Sequence, residues 1–332
     1  SQPTTHTNNG NSDLQPDLIW FKDRGAAYSH YWVDSSRGRA KGLKSDTTAA
    51  ETTSGQAGWD LVSFDSDGFK VGAPSEGNST NAGTSSKVAW QWKANGGTTA
   101  SNSDGSITST VQANQDAGFS IVTYTGTGNT ATVGHGLGVA PKIIIGKRRS
   151  QTANWWVGGS ILTSAQTLYL NLTNAIDTVG EAAVFNVTTS TTFKLGTDTN
   201  RNAFNATNVA YCFAEKQGYS KFGKYVGNGT SGTDGTFIYT GFKPAWVMTK
   251  RASSADAWVI YDNKRDTFNP ENNYLLANSS AAETTTANWD FVSNGFKSRT
   301  GNSQGASGVT FIYMAFAENP FTTSTGIPTT AR

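Results

Sequence analysis

Cysteine is almost absent from this sequence of 332 residues, in which Cys212 is the only one. A single cysteine excludes an internal disulfide framework and any metal cluster built on cysteine ligands. Cys212 lies in the apolar run 209–214, far in sequence from all three histidines, one of which a catalytic thiol would need as a partner. We therefore interpret Cys212 as a small buried hydrophobic residue.

Charged residues are also scarce, at 15% of the chain against about 25% in ordinary soluble domains. The 26 basic and 24 acidic residues leave a net charge of +2, and the densest basic run is only 147–149, so nucleic acid is not an expected partner. The longest aliphatic runs, such as 143–145, are far too short to cross a bilayer, and no membrane insertion is expected. Few charges together with 11% aromatic residues and many short polar residues exclude a disordered polyelectrolyte, and a chain of this length can bury a sizeable core.

A motif of the form Pro-x-apolar-apolar-apolar-x-Lys occurs three times, at residues 16–22, 141–147 and 244–250. The second and third copies lie 103 residues apart, and the closing Phe-Ala-Glu at 213–215 recurs at the same distance at 316–318. Because separate motifs keep one spacing, the sequence predicts an internal repeat. The first and third copies also share an Asp-x-x-Arg pair, Asp34 with Arg37 and Asp262 with Arg265.

The fold class follows from short β-branched and aromatic segments that are separated by Gly, Asn, Asp and Ser turns, without sustained helical periodicity. About 100 residues per repeat with this punctuation predicts an all-β protein of tandem antiparallel, jelly-roll-like β-sandwiches. The predicted division is a truncated first sandwich at 1–94, a linker rich in Gly, Ser, Thr and Asn with a possible added strand at 95–117, a second sandwich at 118–217, a third at 218–321, and a C-terminal tail at 322–332. Below, the ranges 1–94, 118–217 and 218–321 are called the first, second and third segments.

The first segment lacks the opening strand that the sequence places at 119–124 and 219–226 in the other two. A sandwich without one strand exposes an edge to which another strand can be added. Three outcomes are open: the edge is bare, residues 106–112 fold back on it, or a neighbouring copy donates a strand. We favour the second outcome and predict that residues 106–112 pair with the first sandwich.

Four motifs, at residues 63–69, 122–126, 135–142 and 316–321, resemble a repeated module of tail-fibre-like virion proteins, chiefly of phages of marine bacteria and cyanobacteria. The resemblance covers about residues 14–321. It implies a structural protein of a virion appendage, on the virion and outside the cell, with other virion proteins and a host-surface glycan or protein as partners. The low charge, the many Thr, Ser and Asn residues and the aromatic residues expected on outer strand faces favour a homo-oligomer, and the resemblance implies that it is a trimer. The resemblance identifies neither the receptor nor the site of attachment on the particle.

The carboxylates give no indication of an active centre. The prominent ones recur at equivalent places in two segments, which a shared fold explains better than a catalytic pair: Asp34 and Asp262, Glu51 and Glu283, Asp60 and Asp290, Glu215 and Glu318. We interpret the Asp-x-x-Arg pairs as holding a loop, His30 as a packing residue and His135 as a turn residue. The sequence thus predicts no enzyme, no catalytic residue and no cofactor.

A weak calcium candidate is the turn that carries Asp65 and Asp67, although it lacks the distal glutamate of an EF-hand. Candidates for contact with a glycan or a neighbour are Tyr31, Trp32, Trp155, Trp156 and Trp258. Trp155 and Trp156 are adjacent, so on a strand they face opposite ways and one leaves its own core. We favour packing against a neighbouring sandwich or chain over ligand binding for that residue.

Two further functions are open from sequence. One is an extracellular carbohydrate-binding or filament-forming β-sandwich protein without a phage, which would share the aromatic composition. The other is a polysaccharide depolymerase.

Overall fold

The computed structural model describes residues 3–10, 13–53, 61–72, 80–81, 83–178 and 186–320. It divides into two compact units. Unit 1 is drawn from Ser1–Asn171, Thr178–Phe213 and Ser279–Ala282, and unit 2 from Leu172–Asp177, Ala214–Asn278 and Glu283–Arg332. With 46% strand and 3% helix, the predicted all-β class is confirmed. The predicted tail 322–332 and the repeat position Asp60 lie outside the described residues.

Two sheets of unit 1 come from its first eight strands: β1 (Thr4–Thr7), β2 (Leu18–Asp23), β3 (Tyr31–Asp34), β4 (Lys41–Leu43), β5 (Thr52–Thr53), β6 (Leu61–Asp65), β7 (Gly68–Val71) and β8 (Lys87–Trp92). One has the order β5-β4-β3-β2-β8 and the other β1-β7-β6, and all pairs are antiparallel. Ile19, Phe21 and Val33 of the first sheet pack with Phe69 and Val71 of the second. Their alternating positions make this a sandwich core.

The rest of unit 1 is mainly one large sheet. Its strands are β9 (Ala100–Asn102), β10 (Ser109–Asn114), β11 (Phe119–Thr125), β12 (Ala131–Gly134), β13 (Ile143–Arg148), β14 (Trp156–Gly158), β15 (Gln166–Tyr169), β16 (Asp177–Thr178), β17 (Thr192–Leu195) and β18 (Thr207–Phe213). The order is β16-β15-β14-β13-β18-β11-β10-β9, and β12 pairs with β17 apart from it. One short helix, α1 (Thr199–Asn202), is capped by Asp198, whose side chain accepts from the Asn200 amide.

The described residues of unit 2 form an eight-stranded sheet. Its strands are β19 (Ser220–Val226), β20 (Phe237–Tyr239), β21 (Pro244–Arg251), β22 (Trp258–Asp262), β23 (Glu271–Leu276), β24 (Thr284–Val292), β25 (Gly295–Ser298) and β26 (Thr310–Ala317). Their order is β19-β26-β21-β22-β23-β24-β25-β20, and short 3₁₀ turns occupy Gly232–Asp234 and Ser303–Gly305. Its core is aromatic, with Tyr225, Trp289, Phe296, Phe311 and Tyr313 among its buried members.

The three Pro-x-apolar-apolar-apolar-x-Lys motifs form β2, β13 and β21. Each of these strands is hydrogen-bonded on both sides, to β3 and β8, to β14 and β18, and to β22 and β26. A strand with neighbours on both edges and covered faces is buried throughout, which explains the unbroken apolar runs. It also places the closing lysine of each motif in the interior, where Lys22, Lys147 and Lys250 are buried.

The prediction that residues 106–112 pair with the first sandwich is wrong. Strand β10 pairs with β9 and β11, and Ile107 forms an isolated bridge to Val133. A four-residue connection joins β10 to β11, so closing this hairpin costs little loop entropy compared with a return to the earlier sheet. The predicted linker 95–117 therefore contributes two strands to the large sheet of unit 1.

Two other outcomes concern the division of the chain. The predicted opening strands of the second and third segments are present as β11 and β19, while in the described residues β8 ends its sheet. The sequence did not predict β1, because Thr4–Thr7 is polar and lacks the apolar alternation of a strand that faces a core. The finer division of unit 1 into a first and a second sandwich stays a prediction.

Among the described helices, none has the length and apolar character of a membrane span.

Candidate functional site: a buried arginine network

Asp34 is the last residue of β3, and Arg37 lies three residues later in the turn that follows. The Asp34 carboxylate accepts from the Arg37 backbone amide at 2.8 Å and from its Nε at 2.5 Å. Arg37 Nη2 also donates to the Trp32 carbonyl at 3.1 Å. Neither charged side chain has any exposed surface. These bonds tie the turn to the end of β3, which is the role that the Asp-x-x-Arg spacing suggested.

Tyr211 and Arg149, both in the second segment, complete the site around Arg37. Tyr211 donates its hydroxyl to Asp34 Oδ2 at 2.7 Å and accepts from Arg37 Nη2 at 3.0 Å. Glu51 accepts from Arg37 Nη1 at 2.8 Å and from both Nε and Nη2 of Arg149, at 2.8 and 2.9 Å. The arrangement pairs two carboxylates with two guanidinium groups, and the Arg149–Glu51 contact is bidentate, the stronger geometry for such pairs.

The electrostatics of the network fix its protonation. Burial alone would raise the pKa of Glu51, but the hydrogen bonds and charges of Arg149 and Arg37 outweigh it and lower that pKa. Burial would lower the pKa of Arg37, yet the charge of Asp34 leads the effects that raise it. Burial raises the pKa of Tyr211 well above its ordinary value, so the phenol stays a donor. None of these three groups is suited to exchange a proton near neutral pH.

Unit 2 contains the same pattern of contacts around Arg265. Its Nε donates to Asp262 Oδ2 at 2.6 Å, its Nη1 to Glu283 Oε2 at 2.8 Å and its Nη2 to the Ile260 carbonyl at 2.9 Å. Asp262 also accepts from the Arg265 backbone amide at 3.0 Å. Each bond corresponds to one that Arg37 makes, with the carbonyl five residues before the arginine in both cases. The sequence pointed to both Asp–Arg pairs but not to the glutamates as their partners.

The aromatic candidates are buried. Trp155 is fully buried, donates its indole N–H to the Lys44 carbonyl at 2.7 Å, and lies 5.2 Å from the Trp32 ring. Trp156 points the other way, with its ring 5.6 Å from the Arg201 guanidinium carbon. Tyr31 is 6% exposed. The remaining candidate, Trp258, is 2% exposed. Because these side chains have so little exposed surface, none of the five offers a face on which a sugar could stack. Trp32 of the first segment and Trp155 of the second instead contact one another.

His30, His135 and Cys212 are buried in the protein interior. His30 Nδ1 accepts the Trp20 indole N–H at 2.8 Å. His135 lies beside the Leu137 amide and the Thr189 carbonyl, and burial leads the effects that lower its pKa. Burial raises the pKa of Cys212, so its thiol has no thiolate character near neutral pH.

Two smaller features bear on ligand binding. Asp67 uses Oδ1 to accept from the Leu14 amide at 3.2 Å, and the described residues contain no group of three or more His, Cys, Asp or Glu side chains placed to hold a metal. A cavity of ≈ 20 Å³ adjoins Lys22, Asp23 and Lys87. That volume admits about one water molecule and no sugar ring.

The sequence matches the family of the DUF7483 domain, a domain of unknown function, over residues 2–320. The chain belongs to the DUF7483 family. No curated protein and no solved structure matches it. The family description assigns no chemistry, so the geometry of this member must supply it.

Sequence reasoning missed the aromatic residues that are exposed in this DUF7483 member. They are Phe204 (74% exposed), Phe237 (46%), Tyr239 (65%) and Phe268 (85%). Phe237 and Tyr239 flank the buried Ile238 on β20, so both point to the same outer face. The alternation Phe-Ile-Tyr was visible in the sequence, but it did not reveal which face of the strand meets solvent.

Proposed function

We propose that this chain is a non-enzymatic structural protein of a virion appendage, a tail fibre or a related fibre, with a part in attachment to the host surface. The observation that carries the proposal is the paired arginine networks. They engage four of the eight repeated carboxylates, Asp34 and Glu51 around Arg37 in unit 1, and Asp262 and Glu283 around Arg265 in unit 2. Carboxylates that make these contacts have a structural role. The resemblance of four motifs to a tail-fibre-like module supports the proposal that the structure belongs to a virion appendage.

An internal repeat belongs to the same proposal. The Asp–Arg–Glu contacts recur with the same atoms in the first and third segments. A buried polar cluster with several matching hydrogen bonds is not expected to arise by chance in two unrelated sandwiches. Repeated sandwiches suit a fibre, which needs length and stiffness more than a cleft.

Attachment needs an exposed recognition surface, and β20 offers one in unit 2. Phe237 and Tyr239 lie two residues apart on one face, a separation of about 7 Å along a strand. Aromatic faces beside polar side chains are common in sites for surface glycans and for proteins. The host ligand in this proposal is accordingly a surface glycan or protein, and the other partners are virion proteins.

Competition for adsorption tests the attachment role. Purified chain, added in excess to host cells, should slow adsorption of the intact phage. The double variant F237A/Y239A should compete less well, whereas F268A, which removes an exposed aromatic elsewhere in unit 2, should compete like the parent chain. Equal adsorption rates with and without the parent chain would refute the attachment role.

The second candidate is an extracellular carbohydrate-binding or filament-forming protein without a phage. The exposed Phe237 and Tyr239 on β20 would suit a carbohydrate site in such a protein equally well. Portal and capsid genes beside the coding sequence would support the virion proposal, and their absence would support the rival. The third candidate, a polysaccharide depolymerase, requires release of reducing ends from host glycan, and we expect none.

Oligomerisation into a trimer rests on the resemblance alone. Light scattering at micromolar concentration should give about three times the mass of one chain. A mass equal to one chain would contradict this part of the proposal.

A further inference from the structure

The lysine that closes each sequence motif donates to main-chain carbonyl oxygens in the protein interior. In each case one of those carbonyls belongs to a loop more than 70 residues away, as the bonds show: Lys22 Nζ to Ser280 O at 3.2 Å, Lys147 Nζ to Thr48 O at 2.9 Å, and Lys250 Nζ to Thr173 O at 3.2 Å. A buried ammonium or amine needs such partners, because it has lost its water. We call residues 48–51, 173–176 and 279–282 docking loops 1, 2 and 3.

Docking loop 1 is held by two backbone hydrogen bonds besides the lysine. The Ala153 amide donates to the Thr48 carbonyl at 3.0 Å, and the Glu51 amide donates to the Arg149 carbonyl at 2.8 Å. Lys147 Nζ also donates to the Ala153 carbonyl at 2.6 Å. The Thr48 carbonyl therefore accepts two bonds, one from a side chain and one from the main chain.

Docking loop 2 makes the same three bonds within unit 2. The Asp256 amide donates to the Thr173 carbonyl at 2.8 Å, and the Ile176 amide donates to the Ala252 carbonyl at 2.8 Å. The loop residues are displaced by 125 positions from those of docking loop 1, and the residues that receive them by 103. These are the two spacings between successive Pro-x-apolar-apolar-apolar-x-Lys motifs.

Docking loop 3 is part of unit 1, although the chain on both sides of it belongs to unit 2. Ser280, which contacts Lys22, lies 232 positions after Thr48, and Glu283 lies 232 positions after Glu51. The contact thus joins the same position of the loop to the same position of the motif as in the other two cases.

We infer that the buried motif lysine and the backbone groups beside it form a docking surface for an extended loop of another sequence segment. The bonds that docking loops 1 and 2 share are made to main-chain atoms. In register, the first and third loops read almost alike, Thr-Ala-Ala-Glu at 48–51 and Ser-Ala-Ala-Glu at 280–283, whereas the second reads Thr-Asn-Ala-Ile at 173–176. Main-chain recognition explains why one geometry accepts the different sequences of docking loops 1 and 2.

Hydrogen exchange of the full chain tests this inference. In the variant K147M, exchange at the Glu51 and Ala153 amides should rise at least tenfold, while the Ile176 and Asp256 amides keep their rates. In K250M the pattern should reverse, because docking loop 2 lies in the other unit. K194M, which alters a partly exposed lysine on β17, should change neither pair. Unchanged exchange at both pairs, or a rise spread evenly over the sheets, would overturn the inference.

A measurement on the unaltered protein covers the case in which a lysine variant fails to fold. Under native conditions an amine-reactive ester should modify Lys22, Lys147 and Lys250 at least a hundredfold more slowly than Lys221 and Lys243, whose side chains are each 45% exposed. Peptides that contain the docking loops should exchange slowly in the same sample. Fast labelling of the motif lysines, or unprotected docking loops, would show that the lysines hold no loop.

Discussion

Replacing Tyr211 with phenylalanine removes one hydroxyl from the Arg37 network and leaves every charge paired. The ring has no exposed surface, so the change adds no new contact with water. Asp34 keeps its bonds from the Arg37 Nε and backbone amide, and Arg37 Nη2 keeps the Trp32 carbonyl. The perturbation therefore isolates the two bonds that Tyr211 makes across the segments.

The expected loss follows from the charge of its partners. Hydrogen bonds to charged groups contribute about 1.5–3 kcal/mol each. Because Asp34 and Arg37 retain other partners, we expect the total to lie near the lower bound of two such bonds, about 3 kcal/mol. Tyr225 provides a matched control, since its buried hydroxyl donates only to the neutral Gln304 carbonyl at 2.9 Å. Y225F should cost about 1 kcal/mol.

Urea denaturation followed by tryptophan fluorescence supplies the free energies of unfolding. A cycle with R37M, alone and combined with Y211F, separates the Tyr211–Arg37 coupling from the loss of packing. If Y211F cost no more than Y225F, or if the cycle gave no coupling energy, the hydroxyl would not join the segments and this reasoning would fail.

Three further predictions concern stability. Burial, followed by the charges of two nearby aspartates, raises the pKa of Glu271 to about 8. The folded protein then keeps a proton that the unfolded chain releases, so the free energy of unfolding should fall as the pH rises from about 5 to about 8. Over that range the urea midpoint of E271Q should decline less than that of the parent chain. G159A should destabilise unit 1 by more than 1 kcal/mol, as read from its urea midpoint, because Gly159 has φ +106° and a Cβ would lie 2.5 Å from the Lys142 carbonyl oxygen. W155F should lower the free energy of unfolding of unit 1 by about 1–3 kcal/mol, since it removes volume and the indole bond to the Lys44 carbonyl.

The strands could largely be predicted from sequence because their signal is local. The Pro motif and the alternating run 119–124 became β2, β13, β21 and β11. The pairing of 106–112 could not be derived in the same way, since alternation predicts a strand but does not select its neighbour. The four-residue connection to β11 selects that neighbour, because a hairpin with a short loop closes at little entropic cost.

The candidate site was predictable in part for the same reason. Asp34 and Arg37 are close in sequence and recur in the third segment, so their pairing left a local signature. Tyr211 is 174 residues from Arg37, and Arg149 is 98 residues from Glu51. Nothing in a single sequence connects positions so distant. Their contacts depend on how segments pack, which the spacing of motifs does not determine.

The proposal that the chain is part of a virion can be tested on the particles themselves. Antibodies raised against the folded protein are applied to purified particles, which are then viewed by negative-stain electron microscopy. We expect label at a fixed place on an appendage, and none on particles treated with antibody that was first absorbed with the purified chain. Particles that stay unlabelled, while the same antibody binds the free chain, would contradict the proposal.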